Sequence, residues 1–399
     1  MEDKPKLDVP TPKLDELEKG PWPSFVTEIK RAATKSAMAR DLVRQVEQSY
    51  NDRVGHWKHG GLVGVRGYGS GIIGRYSGKA EQFPEVAQFH TVRVNQPAGW
   101  FYTTKALREL CDMWDRHGSG LTNMHGSTGD IIFLGTKTEE LEPFFTELTQ
   151  KGWDLGGSGS ATRTPSCCVG PARCEMACYD TLALTQDLTM EFQDTIHRPA
   201  WPYKFKFKMS GCPNDCVSGI ARADFTIIGM WRDAIRIDQS AIPEYLGFEG
   251  FDLRRDVLDK CPTKCIEWDG KKLSINDKEC NHCMHCLNVM PKALRIGKDT
   301  GATILLGAKA PIVEGALMSS VLVPFMKMEP PFTEVKDLVQ RIWDFWEEFG
   351  NNRERVGELV TRVGLANFIE AIGLEPNPYM VMHPRENPYV FYDVDEAAE

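Results

Sequence analysis

Apolar positions along this 399-residue chain change their spacing several times, and each change marks an element. Over residues 24–50, Val26, Ile29, Ala33, Ala37, Leu42 and Val46 recur about once per helical turn, which predicts helix. A glycine-rich, basic stretch follows over 59–79. The runs FHTVRVN (89–95) and DIIFLG (130–135) read as strands, with one helix between them over 104–116 and another over 139–151. Strand-like sequence resumes at 303–306 and 312–323. The tail reads as two helices: over 333–349, Val335, Leu338, Val339, Ile342 and Trp346 share a face and Gly350 ends the run, and a second over 353–372 stops at Gly373. The pattern is α+β.

A chain of this length, 42% hydrophobic, folds as two or three domains with sizeable cores. No run approaches the roughly 18 consecutive apolar residues that a membrane helix needs. The opening segment MEDKPKLDVPTPKLDELEKG is charged and proline-rich where a signal peptide needs an apolar core, so a cytoplasmic location is expected. Residues 1–22 read as an arm lying on a partner or another domain, with Trp22 and Phe25 as apolar anchors. A net charge of −9 argues against nonspecific nucleic-acid binding.

The cysteines carry the chemistry. Nine of the twelve fall into three ligand spacings: Cys168-x5-Cys174 with Cys178 beside it, Cys212-x3-Cys216, and Cys261 with Cys280-x2-Cys283-x2-Cys286. These clusters are too tight and uneven for a disulfide framework, and thiolates so spaced suit soft metals. Zinc also accepts C-x2-C, but the proline-flanked partner cysteine is ferredoxin-like. In bacterial ferredoxins the last cysteine of such a run is followed by proline and serves a second cluster. Here Met290-Pro291 stands in its place, so that cluster is lost, and Cys261-Pro262 supplies the fourth ligand to Cys280, Cys283 and Cys286. Cys265, where the repeat has a small apolar residue, is read as packing. The unit over 238–303 is therefore an inserted ferredoxin domain with one [4Fe–4S] cluster.

The segments TRTPSCCVGPARCEMAC and KFKFKMSGCPNDC resemble the C-x5-C…C-x3-C signature of the siroheme sulfite and nitrite reductases. That resemblance implies mixed-sheet domains with helices and a second [4Fe–4S] cluster on Cys168, Cys174, Cys212 and Cys216, with Cys216 also bridging to siroheme iron. Cys167 and Cys178 do not fit its spacing and are read as structural thiols. The insert narrows the resemblance, which covers nearly the whole chain, to alpha subunits of dissimilatory sulfite reductases. It implies an anion- and siroheme-binding ferredoxin-like domain over 23–165, a siroheme and cluster domain over 166–237 and 304–399, and six-electron reduction of sulfite to a sulfide-level product. A siroheme nitrite reductase and a noncatalytic iron–sulfur carrier are the alternatives.

Siroheme and sulfite are both anionic, and burying them requires a cationic lining. Lys204 and Lys206 alternate along YKFKFKMSG, and the same period aligns Lys208, read as a cofactor contact. On the resemblance, Arg93, Arg163, Lys204 and Lys206 bind sulfite. Arg66, Arg75 and the turn containing Thr122, His125, Gly126 and Ser127 are candidates for the macrocycle carboxylates. Gly69-Ser-Gly71-Ile-Ile-Gly74 fits the dinucleotide fingerprint, but no βαβ pattern surrounds it. The resemblance further implies a homologous beta subunit in an α2β2 particle, a small sulfur-carrier protein with a C-terminal cysteine, an electron donor, and one tetrapyrrole site at which the metal is optional.

Overall fold

The computed structural model describes residues 7–21, 23–61, 63–125, 129–310 and 315–377. The chain divides into two compact units, 1–164 with 192–204, and 165–191 with 205–399. Residues 192–204 thus return to the first unit after the first cysteine loop, which a single boundary near 165 does not anticipate. Among the described residues no helix is long and apolar enough to cross a membrane.

In the first unit the helical run over 24–50 is two helices, Phe25–Ala33 and Ala37–Asp52. The break is local chemistry: Ser24 Oγ accepts from the Thr27 N–H and Ser36 Oγ from the Ala39 N–H, both at 3.2 Å, so each serine starts a helix. The N-terminal segment packs on its own unit. Helix Pro12–Leu17 buries Leu14, and the Glu47 carboxylate accepts from the Lys13 and Leu14 N–H groups at 3.0 and 2.9 Å. Phe25 is exposed, and Trp22 lies outside the described residues.

Four antiparallel strands follow, in the order Ile72–Ile73, His90–Val94, Ile131–Thr136, Leu121–Met124. Helices Thr104–His117 and Thr138–Gln150 cover one face. Trp114 stacks on Phe133 at 5.0 Å, over Val92, Val94 and Ile131. Period two then turns Arg93 to the opposite face. The glycine-rich stretch leads into strands Ile72–Ile73 and Arg75–Ser77 with no helix, so it lacks the strand–turn–helix geometry that places a pyrophosphate. At Gly71, φ is +93° and a Cβ would stand 2.8 Å from Leu155 Cβ, so close packing explains the glycine.

The second unit is built on a five-stranded sheet ordered Ser320–Met326, Thr300–Leu306, Phe225–Trp231, Phe207–Ser210, Ser166–Cys167. The last three strands are parallel and the others antiparallel. Helix Thr333–Phe349 buries its predicted face on this sheet, with Phe205 and Phe207 edge-on to Trp343. The helix expected over 353–372 is two, Val356–Val363 and Leu365–Ala371, parted at Gly364 with φ +87°. The strand expected over 312–323 runs Ser320–Met326; residues 311–314 lie outside the described set.

The cysteine-rich segment leaves the sheet after Trp231 and returns at Thr300, residues that face each other across the antiparallel pair. It extends a hairpin without disturbing its register. Nor does it have a core of its own: Met176, Cys178, Cys212 and Trp231 pack in one buried cluster with Val257, Cys261, Cys286 and Leu294.

Candidate active site

Two parallel strands bring the first four ligand candidates together. Cys167 pairs with Met209, so the loops leaving both strand ends begin side by side. Cys168 donates its N–H to Met209 O at 3.0 Å, and its sulfur accepts from the Gly211 N–H at 3.2 Å. Cys212 and Cys216 follow on the second loop. That loop is fixed by Asp215, which accepts from Ser210 Oγ at 2.7 Å and from the Gly219 and Ile220 N–H groups at 2.9 and 3.0 Å. Burial, with the nearby thiols of Cys174, Cys216 and Cys168 adding to it and the Asn214 N–H opposing, pushes the Cys212 thiol up to about 11. Those four sulfurs therefore share one neighbourhood. Cys216 stands exposed at its edge.

Cys167 is 1% exposed and shares the helix-covered sheet face with Met209 and Ile227. Cys178 lies behind the loop, its N–H donated to Gly211 O at 2.7 Å, and burial near Cys212 and Cys174 pushes its thiol up to about 12. The loop crosses the sheet over a glycine. A Cβ on Gly229 would stand 2.0 Å from Gly211 O and 3.1 Å from Cys178 Cβ.

In the insert, Cys261, Cys265, Cys280, Cys283 and Cys286 line one small cavity. Cys265, set aside by the sequence, lies with its sulfur 3.6 Å from that of Cys261. Their surroundings differ in sign. Burial works upward on both, but N–H and hydroxyl donors from Cys265 and Thr263 overcome it at Cys261 and hold that thiol below its ordinary range, while Cys265 is pushed up to about 11.

Lys206 and Lys208 share the sheet face opposite Phe205, Phe207 and their tryptophans. Asp224 sets where this face begins: fully buried, it accepts the Lys206 N–H at 2.9 Å and both arms of Arg355 at 2.6 and 2.7 Å. Lys208, 2% exposed, reaches Ser166 Oγ at 3.5 Å. Burial pushes its ammonium down to about 8 against the pull of Asp215. Lys204 belongs to the first unit and lies over the Tyr203 ring at 4.8 Å.

In that unit Arg93 is buried and donates to Asp130 at 3.2 Å, and Arg163 donates to Ala161 O at 2.8 Å. Arg75 lies near Arg93. Burial, and then the Arg93 charge, lower its affinity for its proton. Strand register sorts the weaker candidates. Thr122 faces Phe133 and so lies on the side of the sheet away from Arg93, whereas Asn123, opposite Ile132, shares Arg93's face. Arg66 is exposed, its N–H held by Glu142 at the helical side. His125 donates its N–H to Asp130 O at 3.0 Å; Gly126 and Ser127 lie outside the described residues. Asp130 and Asp224 were not singled out by reading the sequence, because each acts through a distant partner, Arg93 and Arg355 respectively.

Residues 158–377 match the family described as "Nitrite and sulphite reductase 4Fe-4S domain", and 83–151 match "Nitrite/Sulfite reductase ferredoxin-like half domain". The chain is 53% identical over 415 residues to the alpha subunit of the dissimilatory-type sulfite reductase of Nitratidesulfovibrio vulgaris, covering 97% of this chain and 95% of that one. It belongs to the dissimilatory-type sulfite reductase alpha subunits. A crystal structure of dissimilatory sulfite reductase I superposes with a TM-score of 0.90 at 50% identity, covering 98% and 96%. A more distant likeness, 25% over 367 residues, is to the beta subunit of the Archaeoglobus fulgidus enzyme, covering 88% and 93%.

Iron–sulfur clusters and siroheme are what this family implies, and the residues present fit them. Four thiols surround the crossing loops, and the exposed Cys216 can serve a group outside the loop as well as one within it. In the first unit the buried Arg75 Nε has no hydrogen-bond partner among the described residues, beside a second guanidinium. An anionic carboxylate or oxyanion would satisfy the Arg75 Nε.

Proposed function

We propose that this chain reduces sulfite by six electrons to a sulfide-level product, with the cluster on Cys168, Cys174, Cys212 and Cys216 coupled through Cys216 to siroheme, and a second [4Fe–4S] cluster on Cys261, Cys280, Cys283 and Cys286. The observation that carries it is the single buried core joining the two cysteine sets. Siroheme coupled to such a cluster supplies reducing equivalents and an open iron site for the sulfur atom. The protein supplies charge and protons. Arg93 and Arg163 are buried guanidiniums suited to hold a dianion, while Lys204 and Lys206 neutralise it and deliver protons as each S–O oxygen leaves as water. Lys208 and Arg75 serve the macrocycle carboxylates.

On this reading the beta subunit, itself similar to this chain, completes an α2β2 particle in which basic residues of one subunit face the tetrapyrrole held by the other. The tetrapyrrole beside this chain's own cluster need not carry metal. An electron donor docks at the insert, and a small sulfur carrier with a C-terminal cysteine takes the product. The test is the native complex carrying Lys204→Ala with Lys206→Ala. Sulfite turnover is expected to fall about 100-fold or more with siroheme bands unchanged. Wild-type turnover in that variant, or faster turnover of nitrite than of sulfite, would refute the assignment.

A further inference from the structure

The two cysteine loops meet through a pair of side chains of matched chemistry. Asn214 Nδ2 donates to Asn288 Oδ1 at 3.0 Å, and Asn288 Nδ2 donates back to Asn214 Oδ1 at 2.7 Å. Each amide stands two residues beyond a ligand candidate, in Cys212-Pro213-Asn214 and Cys286-Leu287-Asn288. A carboxamide pair closing two hydrogen bonds is planar and self-complementary. It leaves both partners satisfied at a position where neither is buried. Nothing about surface stability requires that pairing, since solvent would satisfy either asparagine alone.

We infer that the Asn214–Asn288 amide pair is the bridge through which an electron passes from the insert's cluster to the cluster on Cys168, Cys174, Cys212 and Cys216. Electronic coupling through covalent bonds and hydrogen bonds decays less steeply than across van der Waals gaps. This route runs from Cys286 along two residues, across one doubled hydrogen bond, and back to Cys212. The step moves one electron, oxidising the insert's cluster and reducing the other, and makes or breaks no bond. The competing contact between insert and sheet is the stack of His282 on Trp231, with centroids 4.3 Å apart and planes 17° apart. Trp231 lies in the same buried cluster as Cys178 and Cys212, so this contact offers a route by packing alone, with no hydrogen bond along it among the described residues. The salt bridge of Arg295 with Glu175, next to Cys174, at 3.1 Å, ties the same two parts and keeps the insert seated when the amide pair is removed.

The inference rests on the proposed two-cluster reading, and the test separates the two. The native complex with Asn214→Leu, Asn288→Leu or both is mixed anaerobically with less than one equivalent of reduced viologen, and each cluster is followed by rapid-freeze paramagnetic resonance. Iron and sulfide are counted on the same samples. Full iron content with transfer between clusters slowed about 10- to 100-fold in both single variants, the range for outer-shell partners, and no further in the double variant, is the expected result. Asn288→Asp keeps the acceptor and loses one of the two hydrogen bonds; it should be intermediate, and it decides the matter if a leucine variant does not fold. Wild-type transfer rates with full iron overturn the bridge, as does slowing by His282→Ala alone. A wild-type chain with iron for only one cluster overturns the underlying reading instead.

Discussion

Gly229 offers the sharpest test of how the sheet holds the first cysteine loop. In Gly229→Ala the new methyl carbon would stand 2.0 Å from Gly211 O, 2.4 Å from Gly211 C and 3.1 Å from Cys178 Cβ. None of these is the end of a flexible side chain, so the loop itself must move by about 1 Å to restore ordinary contact. Gly211 is where that motion does harm. Its carbonyl accepts the 2.7 Å bond from the Cys178 N–H, its own N–H donates to Cys168 Sγ, and Cys212 is the next residue. Overpacking of about 1–3 kcal/mol adds to about 1–3 kcal/mol for a buried group left unsatisfied, so a loss of roughly 2–6 kcal/mol is expected. That is a large share of a typical stability of about 5–15 kcal/mol. Gly55→Ala, whose Cβ would meet nothing within 4 Å, is the control. The assay is iron and acid-labile sulfide per chain with thermal unfolding of the native complex. Gly229→Ala should lose iron and melt several degrees lower, while Gly55→Ala matches wild type. Full iron and an unchanged melting temperature in Gly229→Ala would show that the loop does not lie against the sheet as described.

Cys283 is exposed and stands outside the shared core, so Cys283→Ser should remove one cluster's iron and leave the tetrapyrrole spectrum intact, whereas Cys216→Ser should remove cluster and tetrapyrrole signals on this chain together; simultaneous loss of everything in Cys283→Ser would contradict the assignment. Arg355→Met leaves the fully buried Asp224 without its charge partner and should cost about 3–5 kcal/mol in denaturant unfolding, and a loss under about 1 kcal/mol would mean the pair does not anchor the strand start at Lys206. His90 is fully buried, accepts the Arg75 N–H at Nδ1 and bonds Thr138 through Nε2; burial lowers its folded pKa below 6.5, with Glu139 opposing. The unfolded chain therefore binds the proton first, so its stabilising contribution is complete above 6.5 and is lost as pH falls below that value, by up to about 1.4 kcal/mol per pH unit. His90→Asn should flatten the melting-temperature profile between about pH 7 and pH 5, and an equally steep profile in the variant would assign the acid sensitivity elsewhere.

What could be read from the sequence is what local spacing encodes. The cysteine intervals fixed which thiols could share a group, and period two separated Lys206 and Lys208 from Phe205 and Phe207. Helix 333–349 showed its buried face residue by residue. The misread boundaries have equally local causes, a serine cap at Ser36 and a left-handed glycine at Gly364, which apolar periodicity does not register. What escaped depends on sheet order. The Ser166–Cys167 strand meets the Phe207–Ser210 strand only because the intervening helices return the chain in parallel, and Gly229 meets Gly211 only across that sheet. Asp224 and Arg355 are 131 residues apart, and Asn214 and Asn288 are 74 apart. No window along the chain contains both members of either pair.

Inserting the cysteine-rich segment between facing residues of a hairpin, rather than at a chain end, has a mechanical consequence. Closing the sheet around 232–299 costs loop entropy that grows only slowly with length, and the Trp231–Thr300 register survives. A module on a flexible tether would sample many distances, and transfer would proceed only from the closest of them. Here Trp231 continues the sheet into the core that it shares with the insert, and Gly297 packs so tightly behind it that a Cβ would stand 2.6 Å from Trp231 Cδ1 and 2.0 Å from Asp233 Oδ1. Both ends of the insertion are thus clamped to the strand that also carries Gly229 beneath the cysteine loop. The separation of the two cysteine sets is therefore set by one strand and one core. On the proposed two-cluster reading, an electron entering at the insert would meet the same path at every turnover.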